Sequence, residues 1–175
     1  MGEQRRILAA LDASGQGEAI FETALRLAQQ QQAQLLLFHC LPLDNQDLSA
    51  GSYSDIYGQN LVNFSRALQE QLEEQLEATR KWLTAYSDRA QQAGISTDWD
   101  WKVGDPGRRI HERARHWSAD LIVVGRRGRT GLAELLMGSV SNYVVHHATC
   151  SVMVVQGEQP TLGKDVKIFS VAGSL

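Results

Sequence analysis

The chain has 175 residues, 43% of them hydrophobic and 21% charged, which allows one buried core without disulfides or a structural metal and excludes disorder over most of its length. Its formal charge of −3 excludes the overall basic field on which non-specific nucleic-acid binding relies. No apolar run reaches the roughly eighteen residues that span a bilayer, and no long apolar segment follows Met1 to Arg6.

These limits predict a cytoplasmic chain with one domain over 1–156 and a tail over 157–175, partnered by neither nucleic acid nor membrane. Arg5 to Leu11 is a short apolar run ending at Asp12, and Ser14-Gly15-Gln16-Gly17 is the turn cluster after it. From Glu18 to about Gln31, Ile20, Ala24, Leu27 and Ala28 recur at helical spacing, and Gln34 to Cys40 reads as a second strand. Pro42 to about Asn60 has no clear period and reads as a long functional loop. Leu61, Phe64, Leu68, Leu72, Leu76, Leu83, Tyr86 and Ala90 then mark the apolar stripe of a long helix, stopped by Gly94.

Ser96 to Lys102 alternates as a third strand, and Asp105 caps a helix that opens on Pro106 and turns Ile110, Ala114 and Trp117 inward. Leu121 to Val124 is an unbroken apolar strand of the kind buried on both faces, ending at Gly125. Ser139 to Ala148 is a helix and Ser151 to Gln156 a fifth strand. The alternation predicts an α/β fold: a single-domain, open, doubly wound sheet of five parallel strands in the order 3-2-1-4-5. Cys40 and Cys150 lack C-x-x-C spacing and read as buried free thiols.

Chemistry concentrates after the fourth strand, where the sequence runs GRRGRTGLAELLMGSVS from Gly125 to Ser141. Glycine at the carboxyl end of a parallel strand lets a ligand approach the backbone, and the N–H groups of a helix start can hold phosphate oxygens. No Walker A loop is present, since Gly163-Lys164 is followed by Asp165, and no Rossmann glycine pattern follows the first strand. His39, His111 and His116 have no recognisable nucleophile partner, so no catalytic residue is assigned. His146 and Cys150 stand four apart without a second pair, so no metal site is assigned either.

The segment resembles the universal stress protein family, whose nucleotide-binding members carry G-x2-G-x9-G-[ST]. Gly125, Gly128 and Gly138 take the glycine places and Ser139 the last. The resemblance covers roughly 5–156, including Asp12, His39-Cys40 and Val152 to Val155. It implies that ATP or AMP is held by Ala10, Leu11, Asp12, His39, Cys40, Val124, Gly125, Arg127, Gly128, Gly138, Ser139, Val140 and Ser141. Asp12 would face the ribose, the backbone at Cys40 and Val124 the adenine, and the loop from Gly125 to Ser141 the phosphates. Cys40 departs from the family's usual valine.

Bland readings stand beside these: Asp12 or Ser14 as helix caps, the glycines as tight turns, and Arg126, Arg127 and Arg129 as solvated charge rather than phosphate contacts. The expected function is a regulatory stress-response binding module, its ligand state passed to a protein partner. The alternatives are a slow ATPase, with Mg²⁺ carried on the nucleotide phosphates, and a nucleotide-free interaction protein. A homodimer is expected through the strand 151–156, whose apolar faces leave an unprotected edge. The competing cover for that edge is the tail, with Lys167 to Val171 folded back as an added strand.

Overall fold

A computed structural model describes residues 4–13, 16–42, 61–126, 137–156 and 167–169. Five parallel strands, β1 (Arg6–Leu11), β2 (Gln34–Leu41), β3 (Thr97–Val103), β4 (Leu121–Gly125) and β5 (Ser151–Val155), lie in the order β3-β2-β1-β4-β5, as the alternating pattern predicts. The helices α1 (Gln16–Gln31), α2 (Leu61–Gln92), α3 (Pro106–Trp117) and α4 (Ser139–His147) connect them.

Alternate strand residues serve two cores. Ile7, Leu11, Leu37 and Val123 pack with Phe21 and Ala24 of α1 and Leu83 of α2. Leu8, Phe38, Ile122 and Val152 pack with Ile110 of α3 and Val144 of α4 on the other side. Burial from both sides is why the central strands read as unbroken apolar runs. Arg89 of α2 ties the helices of the first layer together, donating to Glu18 at 2.6 and 3.0 Å and to Glu22 at 2.6 Å, with its guanidinium over the Phe21 ring.

Helix ends follow the sequence signals. Asp105 Oδ1 accepts from the Arg108 N–H at 2.8 Å, with Pro106 in the first turn, and Gly94 leaves α2 at φ +80°. Two boundaries differ. Gln16 and Gly17 belong to the first turn of α1 rather than to a preceding loop. In α2 the expected single apolar stripe is buried only from Thr79 onward among the described side chains, and Leu72 is 48% exposed. A helix of 32 residues is about 48 Å long at 1.5 Å per residue, roughly twice the length of β2, so the sheet supports only part of it. The side chains of Leu61, Phe64 and Leu68 lie outside the described set, as do the 43–60 segment and Ser14.

The sheet also has a sixth strand. β6 (Lys167–Phe169) runs antiparallel along β5, with Val152 opposite Phe169 and Val154 opposite Lys167. β5 is therefore not the edge, and the expected homodimer through 151–156 loses its premise. An apolar strand with open N–H and C=O groups takes the strand nearest to hand, and a segment of the same chain is present at far higher effective concentration than a second molecule. Positions 170 and 171 of the expected tail strand lie outside the described residues.

At the opposite edge, on β3, two outward N–H groups are occupied by side chains. The Ser96 carbonyl accepts from Leu35 and the Gly104 N–H donates to Leu41, so even-numbered residues of β3 bond to β2 and odd-numbered ones face outward. The outward N–H groups of Trp99 and Trp101 donate to Asp98 Oδ1 and Asp100 Oδ1, each at 2.8 Å. Among the described residues no helix is long and apolar enough to cross a membrane.

Candidate functional site

Between β1 and β4 the order of the sheet reverses, and there the carboxyl ends of parallel strands open a crevice suited to a ligand. Ala10 lies beside Phe38 and Val124, and Leu11 beside His39. Half-buried Asp12 follows at the end of β1. The side chains of Ala10, Cys40 and Val124 are buried against α3 and α4, so they offer the rim their backbone.

The side chain of His39 lies on the other face of β2. Its ring is buried on the α1 and α2 side, edge-on to Trp82 of α2 with centroids 5.2 Å apart. Nδ1 lies 2.8 Å from the Leu11 carbonyl, and since a carbonyl only accepts, Nδ1 carries the proton.

The motif glycines have different physical reasons. Neither Gly125 nor Gly138 has a positive φ, so neither is there to make a left-handed turn. A Cβ on Gly125 would stand 2.8 Å from Gln16 Oε1 and 3.0 Å from Ile20 Cδ1; this glycine lets α1 close on the end of β4. A Cβ on Gly17 would run into the Asp12 carbonyl, so α1 is equally close to the end of β1. Gln16 and Gly17 are thus part of the crevice wall that sequence reading passed over, and the only signal was their place in a glycine-rich cluster after Asp12.

Gly138 is the N-cap of α4 at φ −60°, ψ 156°, with no side-chain cap bond. That backbone suits any residue, and serine or aspartate would cap better. Its N–H donates to the Arg126 carbonyl at 2.7 Å. Ser141, expected to face the ligand, turns its hydroxyl inward: Oγ is 3.1 Å from the Arg126 carbonyl and 3.0 Å from that of Gly138, and the residue is 1% exposed. Ser141 therefore staples the two ends of the glycine loop, leaving its N–H, with those of Ser139 and Val140, at the helix mouth. Arg127, Gly128 and Arg129 lie outside the described residues.

Burial, with a smaller push from Asp105, raises the Cys40 thiol from its ordinary 9.0 to about 11; Sγ lies 3.4 Å from the Gly104 carbonyl. It is a packed thiol rather than a nucleophile. Cys150 is only half-buried, and burial raises it too. Among the described residues no three His, Cys, Asp or Glu side chains gather as a cation cage.

The model of the universal stress protein family matches residues 3–156. The chain belongs to that family. A universal stress protein of Synechocystis sp. is 46% identical over 151 residues, covering 86% of this chain and 97% of the relative. Universal stress protein A homolog 2 of Coxiella burnetii is 35% identical over 158 residues, covering 89% and 97%. Among solved structures, the universal stress protein UspA from Lactobacillus plantarum matches with a TM-score of 0.66 at 25% identity, covering 88% of this chain and 99% of that one. A universal stress protein in complex with cAMP matches with a TM-score of 0.57 at 21% identity, covering 88% and 98%, a likeness of fold. The family match stops at 156, so β6 lies outside it.

Proposed function

We propose that this universal stress protein is a cytoplasmic regulatory module that binds an adenine nucleotide, ATP or AMP, in the crevice between β1 and β4. The observation that carries the reading is Gly138: a glycine in a backbone any residue could adopt, capping a helix without a side chain. Its missing side chain leaves the helix mouth open to an anion, and the N–H groups of Ser139, Val140 and Ser141 supply charge-assisted bonds to phosphate. Asp12 takes the ribose, and the backbone at Cys40 and Val124 the base. That a protein of the same fold is known in complex with cAMP agrees with an adenine nucleotide as the ligand class. Regulation then follows from ligand state, which a protein partner would read. Any Mg²⁺ would arrive on the phosphates.

Mass spectrometry of small molecules released from the purified protein identifies the ligand, and calorimetry with ATP and AMP measures it. Gly138→Val should crowd the phosphate and cost about 1.5–3 kcal/mol, on the order of tenfold or more in Kd. A folded Gly138→Val protein with unchanged affinity would refute this site.

A further inference from the structure

The His39 imidazole holds the backbone on which the crevice depends. β1 and β2 are parallel with Leu11 beside His39, and the bonds of a parallel ladder run from backbone to backbone. Here a side chain is added: the Nδ1–H of His39 donates to the Leu11 carbonyl at 2.8 Å. That carbonyl belongs to the peptide unit that supplies the N–H of Asp12, so its direction sets the plane from which Asp12 departs. His39 is 7% exposed, a burial in which a hydrogen bond is shielded from competing water. Trp82 stands edge-on to it at 5.2 Å, and the same indole lies 3.6 Å from where a Cβ on Gly17 would be, beside the Asp12 carbonyl. The peptide units on both sides of Asp12 are thus bounded: His39 bonds the one before it, and α1, backed by Trp82, abuts the one after.

We propose that His39 is a positioning residue of the nucleotide site: through the Leu11 carbonyl it fixes the backbone at Asp12, with Trp82 holding the ring in place. The role in binding rests on the nucleotide reading above; the role in fixing Asp12 does not.

The test pairs two variants of the full chain. His39→Asn keeps an N–H donor at the same number of bonds from Cα, whereas His39→Leu fills similar space without one. Calorimetry with AMP should find His39→Leu weaker than wild type by about tenfold and His39→Asn within about threefold, the difference one buried hydrogen bond makes. Amide NMR of the nucleotide-free proteins should find the Asp12 resonance displaced in His39→Leu and restored in His39→Asn. Thermal melting checks that both variants fold. A residue that merely filled the core would lower the melting point of both without moving AMP affinity or the Asp12 amide, and that pattern overturns the proposal. If wild type binds no AMP or ATP, the nucleotide reading falls, and the Asp12 amide still decides whether His39 positions it. Should neither variant fold, Trp82→Leu is read by the same amide, and an unmoved Asp12 resonance there overturns the proposal.

Discussion

Cys40 is packed as an apolar residue would be: the sulfur is buried, with the Gly104 carbonyl 3.4 Å away. A thiol raised from 9.0 to about 11 keeps its proton in the folded chain over a range in which the unfolded chain has lost it. Its contribution to stability is therefore intact below about pH 9 and is lost as pH climbs toward 11. Thermal melting across that window should fall, and fall less steeply in Cys40→Val, with Cys150 adding a smaller slope of the same sign in both proteins. A Cys40→Val profile that superimposes on wild type would remove Cys40 as the cause. AMP affinity should be unchanged in this variant, since only backbone is offered at position 40. At this scale the sequence was readable where a residue's type announces its job, as with Asp105 before Pro106. It was silent where the job depends on a distant approach. Nothing local tells that Gly125 makes room for Gln16 and Ile20, that Gly17 clears the Asp12 carbonyl, or that His39 bonds the Leu11 carbonyl.

Secondary elements were legible because both helix layers bury a periodic face and the central strands bury two. Their ends were less so: among its described side chains α2 is buried only from Thr79 onward, although its apolar stripe begins earlier. The start of α4 shows a contact that the glycine pattern does not announce. Ser141 closes the segment from which phosphate contacts are expected, and its hydroxyl bonds the Arg126 and Gly138 carbonyls, joining the end of one element to the start of the next. Ser141→Ala should therefore cost about 1 kcal/mol of stability in urea unfolding. A ligand-facing hydroxyl would instead lose affinity and leave stability alone, so the two measurements together decide which the residue is.

Across the whole molecule, the sheet's order was predictable from alternating elements, whereas the fate of its last strand was not. A short tail segment beyond the family match carries too little pattern to say whether it or a second subunit would pair with β5. With β6 along Val152 to Val154, the full chain should not self-associate through that edge, and a chain ending at Glu158 should dimerise there by light scattering. A full chain that already dimerises through β5 would mean that β6 yields to the second subunit. The far side of the sheet is stopped by other means, the Asp98 and Asp100 carboxylates on the N–H groups of Trp99 and Trp101. Each molecule therefore carries two potential joints, β5 behind its own β6 and β3 behind two carboxylates. Unplugging the β5 side alone leaves a unit with one joint, whose growth ends at a pair. Removing the tail and both aspartates together leaves a unit with two, and units with two unlike joints add head to tail without a natural end.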